Sequence, residues 1–115
     1  MGLEKRTRVE VFLPVRTDTT DYRAITEWLS EELALARGGS TLTTPFTGLY
    51  LSSVIRGSVL RDQVQILSCD FDPDIDDKLH RTKLLSYLHD VRRMLMEVLN
   101  EEDVWITYHA VTRIS

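Results

Sequence analysis

Several features are scarce or missing in this chain. It has a single cysteine, Cys69, so no internal disulfide can form, and no Cys-x-x-Cys metal motif exists. No apolar run approaches the roughly 20 residues that a membrane-spanning helix needs. The charged stretch 1–8 lacks the apolar centre of a signal peptide. Together these absences predict a cytoplasmic protein with no place in the membrane.

The overall composition is that of an ordinary folded domain. The 115 residues are 43% hydrophobic and 28% charged, which suits one domain spanning 1–115. The formal net charge of −4 gives no general attraction to nucleic acids or anionic membranes. Nucleic acid and membrane are therefore not among the partners that we predict.

Apolar residues at every second position predict four strands. The first contains the alternating residues Val9, Val11, Leu13 and Val15. The segments 43–53 and 58–71 predict a long hairpin that turns at Arg56-Gly57, and the last strand covers 104–114.

Apolar residues at three- and four-residue spacing predict two helices. The first covers about 21–37, and Gly38-Gly39 ends it because glycine adopts the left-handed conformation without steric cost. The second runs from about 73 to 100. Asp72 is its expected N-cap, with Pro73 at the first helical position.

The resulting order, β-α-β-β-α-β, predicts an α+β fold of the ferredoxin-like βαββαβ type. In that fold an antiparallel four-stranded sheet carries both helices on one face. The other face has no helix to cover it, and we expect five apolar residues there: Phe12, Leu67, Cys69, Trp105 and Val111. Uncovered apolar groups predict self-association, as a homodimer or a trimer.

Three short motifs carry a family resemblance. They are Gly38-Gly39-Ser40-Thr41 after the first helix, Gly48-x-Tyr50 in the next strand, and a following strand led by Asp62. With them the chain resembles a group of small, uncharacterised bacterial ferredoxin-like proteins over about its middle third. The resemblance implies the fold and supplies no activity. The topology is also similar to that of the trimeric nitrogen-regulatory signalling proteins, whose nucleotide-binding motifs are not recognisable here.

An acidic run from Asp70 to Asp77 resembles a metal-binding loop. An EF-hand counted from Asp70 would need glycine at position 75 and glutamate at position 81, where the chain has Ile75 and Arg81. Helix capping is the favoured interpretation, and weak binding of a divalent ion stays open. The histidines have no metal-ligand spacing: they are His80, His89 and His109. We therefore predict no metal site and no cofactor.

Catalytic motifs are equally hard to find. Cys69 lies within an apolar strand, where a thiol is usually inert, and no serine has a Gly-x-Ser-x-Gly context. Phe12 and Trp105 could present aromatic rings on the sheet, but the RNA-binding consensus that such rings accompany is missing. Whether the chain is an enzyme stays open.

Two functional hypotheses follow. The first is a self-associating binding or regulatory domain. The alternative is a small enzyme or small-molecule binder with a polar site between subunits. The candidate binding residues are Ser40, Thr41, Thr43, Tyr50, Asp62, His109 and Arg113. A pocket that gathers several of them would favour the alternative, whereas a flat apolar sheet face would favour the first hypothesis.

Overall fold

Two helices and an antiparallel sheet make up the described part of the chain, so the α+β prediction is confirmed. The computed structural model describes residues 2–15, 20–37, 39–44, 46–51, 59–71 and 77–114. In chain order the elements are β1 (Leu3–Pro14), α1 (Thr20–Arg37), β2 (Thr41–Leu42), β3 (Phe46–Leu51), β4 (Val59–Phe71), α2 (Lys78–Val98) and β5 (Trp105–Ile114). No helix within these residues is long and apolar enough to cross a membrane.

The sheet is centred on β1 and β4. Its order is β2-β4-β1-β5, and β3 also pairs with β4. One edge of β4 pairs with β1. The other edge is shared: the short β2 pairs with Leu67–Ser68, and the longer β3 pairs with Val59–Val64. The predicted strand 43–53 is therefore two shorter strands. The predicted turn at Arg56-Gly57 lies outside the described residues.

One face of the sheet carries the hydrophobic core. Val9, Val11 and Leu13 of β1 are buried, as their alternation predicts, and both helices pack in the same cluster. Leu67 pairs with Val11, and Cys69 pairs with Val9, so both β4 residues share this face. Their expected position on the uncovered face was wrong: they are 0% and 4% exposed beneath the helices.

Helix α2 begins five residues later than the sequence predicts. Asp77 is its N-cap, and the carboxylate accepts hydrogen bonds from the N–H groups of Leu79 (3.0 Å) and His80 (3.3 Å). These bonds hold the pKa of the Asp77 carboxyl below its ordinary value. The expected N-cap, Asp72, and its neighbour Pro73 lie outside the described residues.

The C-terminal end of α2 closes with a left-handed residue. Asn100 has a φ of 53°. Its N–H donates to Glu97 O (3.3 Å), and the N–H of Glu101 donates to Met96 O (2.9 Å). This pair of bonds is the Schellman arrangement, in which a residue with positive φ turns the chain out of the helix.

Of the Gly38-Gly39 cap predicted for the end of α1, the described residues include Gly39 alone. Gly38 lies outside the described residues, and Gly39 does not have the positive φ of a left-handed cap. A Cβ added to Gly39 would meet nothing within 4 Å. The segment is held to the helix by Ser40 instead, whose Oγ donates to the carbonyl oxygen of Ser30 at 2.9 Å.

Candidate functional site

A polar groove of about 630 Å³ lies on the sheet where β1 and the end of β4 meet the segment after α1. This volume falls in the range of small-molecule sites. The lining residues, which we call the arginine groove, are Arg6, Arg8, Gly39, Ser40, Thr41, Ser68, Cys69, Asp70 and Arg113. Four strands (β1, β2, β4 and β5) and one loop therefore contribute to one site.

Strand alternation places the charged residues of the groove. In the sequence Arg6-Thr7-Arg8, Thr7 is 1% exposed in the core, so the two arginines project from the opposite, open face. Arg8 pairs with Asp70 in the β1–β4 register, which puts both side chains on that face. Arg113 belongs to it too, because it pairs with Glu4 of β1.

Asp70 is bound by two arginines from different strands. Arg8 makes a bidentate contact, with Nε 2.8 Å from Oδ1 and Nη2 3.0 Å from Oδ2. Arg113 reaches across β1 from β5 and donates from Nη2 to Oδ2 at 2.8 Å. The carboxylate thus fixes both guanidinium groups against the floor of the groove.

These contacts keep Asp70 ionised. The hydrogen bond from Arg8, helped by that from Arg113, lowers the pKa of the Asp70 carboxyl to about 2, although burial acts in the opposite direction. The same contact raises the pKa of Arg8. At neutral pH one negative charge therefore faces two positive charges.

Arg6 extends this positive surface. Its Nη2 lies 2.9 Å from Glu4 Oε2, so this arginine is also paired. The described lining holds three arginines and one carboxylate, Asp70, while Glu4 and Glu10 beside the groove interact with Arg6 and Arg8. The hydroxyl groups of Thr41 and Ser68 add uncharged donors and acceptors, and Ser40, whose Oγ donates to Ser30, adds an acceptor.

The chemistry available in the groove is binding chemistry. Its described lining holds no histidine, and its thiol, Cys69, is 4% exposed with Sγ 3.9 Å from Leu33 O. Asp70, with a pKa of about 2, is a poor proton acceptor at neutral pH. Within the described lining, guanidinium and hydroxyl groups are what a ligand would meet.

The structure gathers three of the seven predicted binding residues in this groove: Ser40, Thr41 and Arg113. Thr43 has a structural contact instead, because its Oγ1 accepts the N–H of Ile66 at 2.9 Å. His109 lies outside the groove lining, although it pairs with Arg8 on the open face, and its Nδ1 is 3.6 Å from Glu10 Oε1. Tyr50 and Asp62 belong to β3 and β4, and their side chains lie outside the described part of the structure.

Sequence reasoning missed Arg6, Arg8 and Asp70. The available signal was the alternation Arg6-Thr7-Arg8 on the polar side of a strand whose apolar side was recognised. Asp70 was assigned to the acidic run, but its carboxylate is bound by arginines. Among the residues that the structure describes, no group of three or more histidine, cysteine or acidic residues could hold a metal ion.

The open face is largely charged, in contrast to the apolar surface that the sequence predicts. Glu4, Arg6, Arg8, Glu10, Asp70, His109 and Arg113 lie there. Of the five apolar residues expected there, Phe12, Trp105 and Val111 do lie on this face. Phe12 and Trp105 pack edge to face at one end with ring centroids 6.3 Å apart, and Val111 pairs with Arg6 beside the groove. Trp105 is 52% exposed, and its Nε1 donates to Asp103 Oδ2 at 2.9 Å.

Comparison of the chain with protein-family models, with curated proteins and with solved structures gives no match. The function must therefore be inferred from the arginine groove itself.

Proposed function

We propose that this domain binds a small anionic molecule in the arginine groove. The observation that carries the proposal is the anchoring of Arg8 and Arg113 on one carboxylate, Asp70. A side chain that is already held in place loses less conformational entropy when a ligand binds. The groove is thus organised before the ligand arrives.

Hydrogen-bonding capacity supports an anion as the ligand. A guanidinium group has five N–H donors. Arg8 directs two of them at Asp70 and Arg113 directs one, so other donors of both groups stay available to a ligand. A carboxylate or phosphate is the natural partner of such donors, and the three arginines of the groove lining favour either.

We further propose that the scaffold is a ferredoxin-like βαββαβ fold. If β2 and β3 are counted as one interrupted strand, the element order is β-α-β-β-α-β. The strand order, with this composite strand beside β4 and then β1 and β5, supports the same interpretation. It also agrees with the resemblance to the bacterial ferredoxin-like group.

Of the two functional hypotheses, the gathering of Ser40, Thr41 and Arg113 favours the small-molecule binder. Self-association through the open face stays a prediction, but its support is reduced because the charged residues Arg8 and Glu10 separate Val111 from the aromatic pair Phe12 and Trp105. We assign no reaction, since the described lining offers binding groups only.

The test is calorimetric titration with inorganic phosphate, sulfate, citrate and a nucleoside monophosphate. Arg113→Gln should weaken binding of whichever anion binds the wild type by about tenfold, because a charge-assisted hydrogen bond is lost. Arg23→Gln is the matched control, since Arg23 forms an exposed ion pair with Glu27 on α1 and is not part of the groove lining. The proposal is wrong if none of the four anions binds, or if both variants bind like the wild type.

A further inference from the structure

The strand β5 forms an edge of the sheet. It pairs with β1 in an unbroken register from Leu3↔Ile114 to Phe12↔Trp105, and no other described strand pairs with it. Most of its residues are exposed: Trp105, Thr107, Tyr108, His109, Ala110, Thr112, Arg113 and Ile114. A long row of main-chain N–H and C=O groups therefore faces outward.

Within the part of the chain that the structure describes, this edge lacks the usual protection against pairing with another strand. Natural edge strands carry lysines, acidic residues, prolines or bulges that keep other strands away. The ten residues of β5 contain no proline, glycine, lysine or acidic residue, and the register shows no bulge. The formal charge of Arg113 is directed across β1 towards Asp70, away from the free edge.

We infer that β5 pairs antiparallel with β5 of a second copy of this chain, forming a two-fold symmetric dimer with one continuous sheet. The hydrogen-bonding groups of a strand edge are matched by another strand. When two identical edges pair antiparallel, the N–H and C=O groups of both edges are hydrogen-bonded. The two-fold symmetry leaves no free β5 edge, so the assembly stops at two copies. This inference is independent of the anion proposed for the arginine groove.

The apolar residues select the register. Odd-numbered residues of β5 must lie opposite odd-numbered residues of the second β5, and even-numbered opposite even-numbered. Only then does each face of the sheet continue into the second copy. With Ala110 on the two-fold axis, Ile106 comes opposite Ile114, which is otherwise 84% exposed. Leu3, 74% exposed, already pairs with Ile114 and extends this apolar row. A register centred on His109 would place two imidazoles opposite each other and leave Ile114 unmatched.

Light scattering at micromolar concentration should give twice the chain mass of 13.3 kDa. Ile114→Lys should raise the dissociation constant of the dimer by about tenfold or more, since it places a charge in the apolar row. Leu35→Lys is the matched control, because Leu35 is 89% exposed on α1, and it should leave the mass unchanged.

Oxidative cross-linking tests the register. In an Ala110→Cys variant the two introduced thiols lie opposite each other, so oxidation should give a covalent dimer on a non-reducing gel. Glu97→Cys on the exposed side of α2 should give far less. A monomer mass for the wild type overturns the inference. So does a dimer that is insensitive to Ile114→Lys and that Ala110→Cys fails to cross-link.

Discussion

Replacement of Asp70 by asparagine tests how strongly the arginine groove contributes to stability. Asparagine keeps the shape of the side chain but removes the negative charge that Arg8 and Arg113 share. The side chain of Asp70 is 9% exposed, so solvent replaces the lost contacts only in part. We expect Asp70→Asn to fold and to be less stable than the wild type at neutral pH.

The lowered pKa of Asp70 gives the expected size of the loss of stability in Asp70→Asn. A fall of the carboxyl pKa from 3.8 to about 2 corresponds to roughly 2 kcal/mol of stabilisation at neutral pH. Arg8 and Arg113 are 45% and 49% exposed, so solvent screening reduces the expected loss to about 1 kcal/mol.

The stabilisation contributed by the Asp70 carboxylate should decrease as the pH falls. The carboxyl pKa is lower in the folded chain than in the unfolded chain, so the stabilisation is complete above about pH 5, is roughly halved near pH 3 and disappears as the pH falls through the folded value of about 2. The difference in stability between the wild type and Asp70→Asn should therefore shrink on acidification.

Urea denaturation of both proteins at pH 7 and pH 3 measures this difference. Asp90→Asn is the control, because Asp90 lies 3.6 Å from Arg93 in an exposed pair on α2 that should contribute little. Equal stability of wild type and Asp70→Asn at pH 7 would contradict the argument. A difference that is as large at pH 3 as at pH 7 would contradict it too.

Three further substitutions test the fold. Asn100→Gly should raise the free energy of unfolding by about 0.5 kcal/mol in urea denaturation, because glycine accepts a positive φ more readily than asparagine; a loss of stability would contradict the left-handed cap. Asp77→Ala should lower the melting temperature and the helical circular dichroism signal, because two N–H groups at the start of α2 lose their acceptor; an unchanged melting curve would place the cap elsewhere. Leu67→Glu should prevent folding while Trp105→Glu should not, since these residues are 0% and 52% exposed; a folded Leu67→Glu protein would show that the β4 register is wrong.

Local periodicity was enough to predict both helices, most strands and the buried face of β1, but not which face of β4 lies against the helices. The sequence correctly grouped Leu67 with Cys69, because strand residues two apart share a side. Which side faces the helices depends on the pairing of β4 with β1, more than fifty residues away in the chain. A one-residue change of that register would exchange the faces, and no local pattern specifies it.

The first residue of α2 could not be predicted from the sequence for a different reason. Asp72 before Pro73 has the composition of an N-cap, and so does Asp77, where the helix begins. Several acidic residues in a row offer equivalent caps, so capping chemistry alone cannot select one. The end of the helix had no glycine to indicate it, and Asn100 takes the left-handed position instead.

Part of the groove was predictable because Ser40 and Thr41 follow a helix next to a strand, where polar side chains often surround a site. The arginines of the groove were not predictable, because a charged residue on the polar side of a strand is usually only solvated. The ion pair between Arg113 and Asp70 joins positions 43 residues apart. Only the sheet register brings them together, and the same register links Arg8 to Asp70.

Arg113 connects the two proposals made for this domain. It belongs to the edge strand β5, yet its guanidinium group lies over β1 and donates to Asp70 of β4. That single contact supplies a positive group to the arginine groove and also removes the formal charge of β5 from the free edge. If Arg113 instead extended outward, β5 would carry the kind of charge that protects sheet edges from pairing. The carboxylate of Asp70 therefore supports both proposals: it holds the arginines that we propose to bind an anion, and it keeps a charge away from the edge that we propose to pair with a second copy.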